Sequence, residues 1–157
     1  MNSVIKFSLN DIENKLTSLS VELCKDIKKV TSIRHPAETD WLDFEIRNSG
    51  YIYTILCYPM DDKRNQTGAP YYLLEKHDDL GMIIPYDYIN NADEYNLELE
   101  MFCDKNQKKI IELIVRWFSD QWDIACSKKF KLNARVTFID KPESYTLKTK
   151  SLINNLT

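Results

Sequence analysis

Residues 41–58 read WLDFEIRNSGYIYTILCY. Leu42, Phe44 and Ile46 alternate with Trp41, Asp43, Glu45 and Arg47. Alternation at period two is the pattern of a strand with one buried and one wet face. Asn48, Ser49 and Gly50 supply a turn, and residues 51–58 return with apolar or aromatic side chains on both faces. The stretch predicts a β-hairpin whose second strand is central in its sheet and covered on both sides, at least in part.

Long helices flank this hairpin. Upstream, Ser8 and Asp11 form a capping-box-like start. Leu9, Ile12, Leu16, Leu19, Leu23, Ile27 and Val30 follow at steps of three and four, an amphipathic stripe that Pro36 keeps from running on. Downstream, Asp104 as cap and Gln107 open a second helix carrying Ile110, Ile111, Ile114, Val115, Trp117, Phe118, Trp122 and Ala125. This broad face predicts the main core helix, with Lys128 to Lys131 at its end.

Between the hairpin and the second helix, residues 60–70 read as a loop. Residues 71–76 and 82–88 read as short strands around a turn at 77–81. Residues 95–103 alternate as a strand with one wet face. Residues 134–139 form a last strand, closed by Asp140, Lys141 and Pro142. The tail from Tyr145 reads as a short helix or a loosely packed segment. The expectation is an α+β domain spanning residues 1–157. Its antiparallel sheet has about four to six strands, and two long helices pack against one face. The order is helix, two strands, two or three further strands, helix, strand.

Composition narrows the function. The 157 residues are 43% hydrophobic and 29% charged, as expected of one folded domain. No stretch approaches the roughly 20 apolar residues of a membrane helix, and residues 1–7 do not read as a secretory signal. A soluble, cytoplasmic protein is expected. Three glycines leave no GxGxxG, GxxxxGK[ST] or GxSxG, which argues against phosphate-cradling folds. Cys24, Cys57, Cys103 and Cys126 are spread singly through apolar segments, as buried thiols are. No cofactor or metal is expected.

The net charge of −3 is unevenly distributed. Residues 61–104 hold eleven acids and three bases, a local −8, and five of the nine tyrosines. Residues 105–157 are +6. Acids interleaved with tyrosine suit recognition of a basic protein, because carboxylates steer the partner and tyrosine offers contact area. The residues expected to bind it are Asp61, Asp62, Tyr71, Tyr72, His77, Asp78, Asp79, Tyr86, Asp87, Tyr88, Asp93 and Glu94. The bland alternative is that these acids are solvated and offset the basic third. That third, with Lys128, Lys129, Lys131 and Arg135 as a cluster, carries no nucleic-acid motif, and a pI near 5.4 argues against such a partner.

Catalysis has one candidate, His77-Asp78-Asp79, a pairing that ligates metal in some hydrolases. It needs further histidines, and only His35 remains. The reading is therefore a non-enzymatic binding domain of the kind that bacterial immunity proteins represent, inhibiting a toxin by masking it. The alternatives are a hydrolase of unrecognised type using His77 with nearby carboxylates, and a self-associating subunit with a symmetric interface.

Overall fold

The sheet is built outward from the hairpin. In the computed structural model, residues 8–49, 52–74, 101–126, 128–138 and 143–154 are described. β1 (Trp41–Ser49) pairs antiparallel with β2 (Ile52–Met60), from Trp41↔Met60 to Ser49↔Ile52. β3 (Tyr71–Tyr72) adds to the far side of β2. β4 (Asn133–Phe138) pairs with β1, and β5 (Glu143–Thr146) and β6 (Ser151–Asn154) extend the sheet beyond it. The order is β3-β2-β1-β4-β5-β6. β2 is thus hydrogen-bonded on both sides, as its apolar faces predicted.

The fold is α+β as expected, but the sheet is mixed. β1 and β4 run parallel, while the other pairings are antiparallel. A parallel neighbour needs a long crossover, and the chain between β1 and β4 contains the main core helix, which lies on one sheet face. The tail also differs from expectation: residues 143–154 form two strands. Tyr145 packs against the core, Leu147 is buried, and β5 pairs with β4, so this hairpin continues the sheet and does not stand alone.

α1 (Leu9–Ser32) begins where Ser8 and Asp11 predicted, with the Asp11 carboxylate accepting the Ser8 N–H at 2.7 Å. Residues 101–105 are helical (α2), so Met101, Phe102 and Cys103 do not belong to a strand; residues 95–100 of that expected strand lie outside the described set. The core helix α3 (Gln107–Ala125) starts from Asn106, not from Asp104, which lies within α2. The expected strand at 82–88 and the turns at 77–81 and 90–94 also lie outside the described residues.

α1 and α3 lie side by side and run in the same direction. Glu13 meets Arg116, the Trp117 indole N–H donates to Ser20 Oγ at 2.9 Å, and Cys24 Sγ meets Gln121 Oε1 at 3.1 Å. Both helices send their apolar stripes onto one face of the sheet, where Leu42, Phe44, Ile46, Tyr53, Ile55, Cys57, Ala134 and Val136 are buried. Phe44 is the centre of this layer, 4.8 Å from Phe118 and 5.8 Å from Trp122 between ring centroids. The tryptophans of α3 are core residues, as their spacing indicated.

Candidate functional site

The second face of the sheet is set by the same alternation. Opposite Phe44, Ile46 and Val136 point Trp41, Asp43, Glu45, Arg47, Leu56, Tyr58, Tyr72, Arg135 and Thr137. α1 and α3 pack on the Phe44 side, and α2 joins them there through buried Cys103. Burial pushes the Tyr53 hydroxyl far up, with Cys103 and Asp104 adding to the shift.

Two polar clusters organise this second face. In the first, the Thr137 hydroxyl donates to Asp43 Oδ1 at 2.7 Å and Arg135 Nε donates to Asp43 Oδ2 at 3.3 Å. The guanidinium also lies 4.9 Å from the Trp41 ring centroid. Asp43 and Arg135 are each 7% exposed. Burial raises the Asp43 carboxyl above its ordinary range, and Thr137 and Arg135 offset this only in part. This is a buried ion pair that braces the parallel β1–β4 seam.

The second cluster is open. Arg47 Nε donates to Glu45 Oε1 at 2.6 Å, and its Nη2 donates to the Tyr58 hydroxyl at 2.6 Å. The Glu45 hydrogen bond raises the guanidinium above its ordinary value; Tyr58 and Tyr72 add smaller electrostatic contributions, which places Tyr72 near the same group. Tyr72 is 62% exposed on the edge strand β3, across from a buried Leu56. An apolar floor under tyrosine hydroxyls and a fixed guanidinium has the make-up of a protein-contact patch.

The expected binding residues divide sharply. Tyr72 faces outward, whereas Tyr71 faces the core and meets the His35 ring edge-on at 5.9 Å. Adjacent strand residues must point to opposite faces, so the two could not act together. Asp61 organises the following loop: its carboxylate accepts the Lys63 and Asn65 backbone N–H groups at 2.9 and 2.8 Å. The Asn65 backbone bond, helped by the Asn65 side chain and Lys63, holds that carboxyl below its ordinary range. Asp62 is exposed. His77, Asp78, Asp79, Tyr86, Asp87, Tyr88, Asp93 and Glu94 lie outside the described residues.

The basic third is also divided. Arg135 is paired with Asp43 on the second sheet face, away from the other bases. Lys28, Lys129 and Lys131 line a cleft of about 700 Å³ beyond the ends of α1 and α3. Because the helices are parallel, their negative poles converge there, and the lysines compensate them. His35 serves the same end of α1, with Nε2 2.7 Å from the Val30 carbonyl oxygen. Cys57 and Cys126 are unsuited to nucleophilic work: burial drives the Cys57 thiol far up and raises that of Cys126. Among the described residues, no three His, Cys, Asp or Glu side chains form a metal-ligand group, and no helix is long and apolar enough to cross a membrane.

Trp41, Leu56, Tyr58, Glu45 and Arg47 were missing from the expected site. The hairpin alternation puts them on one face of β1 and β2, and the β2–β3 register adds Tyr72 to that face. Comparison with known proteins finds no matching family model, no matching curated protein and no matching solved structure.

Proposed function

We propose that the chain is a protein-binding domain of immunity or inhibitor type, acting in the cytoplasm, that masks a basic partner such as a bacterial toxin domain. The observation that carries this reading is the patch that exposed Tyr72, within the acid-rich segment 61–104, forms with half-buried Tyr58 over Leu56 at the sheet edge. Leu73 and Leu74 are buried directly after Tyr72. The Leu73 N–H donates to the Ile55 carbonyl at 3.0 Å, and the Leu74 N–H donates to Asp26 Oδ2 at 2.7 Å. The patch is therefore rigidly mounted, which lowers the ordering cost of association.

In this reading the tyrosines supply contact area and the carboxylates of residues 61–104 attract the partner. Tyr72→Ala should raise the dissociation rate, because it removes packed contact. Charge reversal at Asp78, Asp79, Asp87 or Glu94 should lower the association rate and weaken its salt dependence. Surface plasmon resonance at two ionic strengths separates the two effects. Reversals that leave both rates unchanged would remove the acidic half of the proposal.

A further inference from the structure

On the helix side of the sheet, α1 and α3 leave the β5–β6 end uncovered. A groove of about 780 Å³ runs there between α3 and the strands. Its apolar lining includes Ile111, Val115, Phe138, Tyr145 and Leu152, and Leu152 is 73% exposed on β6, the last strand of the sheet. One side of this groove is fixed by Lys150, which takes a positive φ of 56° in the β5–β6 turn. Its ammonium donates to Ser119 Oγ and Asp123 Oδ1, both at 2.7 Å.

The charges bordering the groove on α3 identify the occupant. Lys108, Glu112, Arg116 and Asp120 recur every four residues and alternate in sign. Residues four apart are neighbours on a helix, so this is a plus-minus-plus-minus ridge, inclined to the helix axis, beside an apolar strip. Among the described residues, Arg116 reaches Glu13 at 3.6 Å, and Lys108, Glu112 and Asp120 close no ion pair within the chain. A row that sums to zero offers little to a strongly acidic or basic partner. It is self-complementary when turned end for end: Lys108 then faces Asp120 of the other copy, and Glu112 faces Arg116. A parallel copy would set like charges together.

We infer that this groove is a homodimer interface in which a second copy of the chain lays its α3 antiparallel against the first across a twofold axis. Such an interface is isologous, so every contact occurs twice. It uses the opposite side of the sheet from Tyr58 and Tyr72 and does not depend on the proposed partner-binding face.

Sedimentation velocity on the full chain tests this with a charge swap. The wild type should be dimeric, with an association that weakens as salt rises. Arg116→Glu should weaken it about tenfold, since each like-charge contact is made twice. The double substitution Glu112→Lys/Arg116→Glu should restore it, because positions 112 and 116 would again face each other across the axis with opposite charges. Leu152→Glu should weaken it without rescue by the swap. A wild type that stays monomeric at every concentration, or a dimer indifferent to Arg116→Glu, would overturn the inference. So would failure of the swap to restore association while circular dichroism shows the fold intact.

Discussion

Removing Arg135 should destabilise the protein in a way that depends on pH. Arg135→Met leaves the Asp43 carboxylate buried with the Thr137 hydroxyl as its remaining partner among those described. Stranding one member of a buried ion pair costs about 3–5 kcal/mol at neutral pH. That is a large share of the roughly 5–15 kcal/mol that holds a typical domain together. Asp43 can escape this cost by taking a proton, and its carboxyl is already raised by burial in the wild type. A carboxyl whose folded pKa lies above its unfolded value binds more protons when folded. Stability is therefore lost as pH rises from the unfolded value through the folded one, and regained as pH falls. The variant, with its positive neighbour gone, should show this more strongly than the wild type. Between pH 7 and pH 5 the gap between them should narrow by about 1–2.7 kcal/mol, given a limit of about 1.4 kcal/mol per pH unit for one proton. Urea unfolding followed by circular dichroism at both pH values gives the two gaps. Replacing both partners, Asp43→Leu/Arg135→Met, should recover most of the loss, since it strands no charge. A gap that stays constant to about 0.5 kcal/mol between the two pH values would refute a buried, stranded carboxylate.

Other expectations follow from the same geometry. Phe44→Ala should cost about 3–5 kcal/mol in urea unfolding, because the ring is fully buried between Phe118 and Trp122. Asp26→Ala should cost about 1.5–3 kcal/mol by removing the charged acceptor of the Leu74 N–H, and limited proteolysis should then cut near Leu74 faster. Tyr72→Ala should leave the urea midpoint close to that of the wild type, since Tyr72 is mostly exposed, while weakening partner binding.

The hairpin, both long helices and the core face were legible because each rests on local periodicity. Leu42, Phe44 and Ile46 named the buried face outright, and the steps from Leu9 to Val30 named the stripe of α1. The parallel β1–β4 pairing was not legible, because strand direction is decided by how the chain returns over α3 and not by residues within β4. Residues 101–103 misled for a related reason. An alternating pattern over a few residues fits a strand, but Met101 stands exposed and Cys103 buried in a helix equally well. Of the candidate patch, composition pointed only to Tyr72. The acid and tyrosine excess marked the region of Tyr72, while the grouping of Tyr58, Leu56 and Arg47 with it required the β2–β3 register. The Asp43–Arg135 pair joins residues 92 positions apart, and no local pattern announces it.

The central claim is that an acidic, tyrosine-bearing face captures a basic protein. It is tested most directly by affinity capture from an extract of the source organism, comparing the wild type with a Tyr72→Ala/Asp78→Lys/Asp79→Lys variant whose unfolding midpoint is unchanged. The wild type should retain a basic protein in one-to-one ratio, released by salt, and the variant should not. Retention of the same proteins by both, or capture of acidic partners alone, would contradict it.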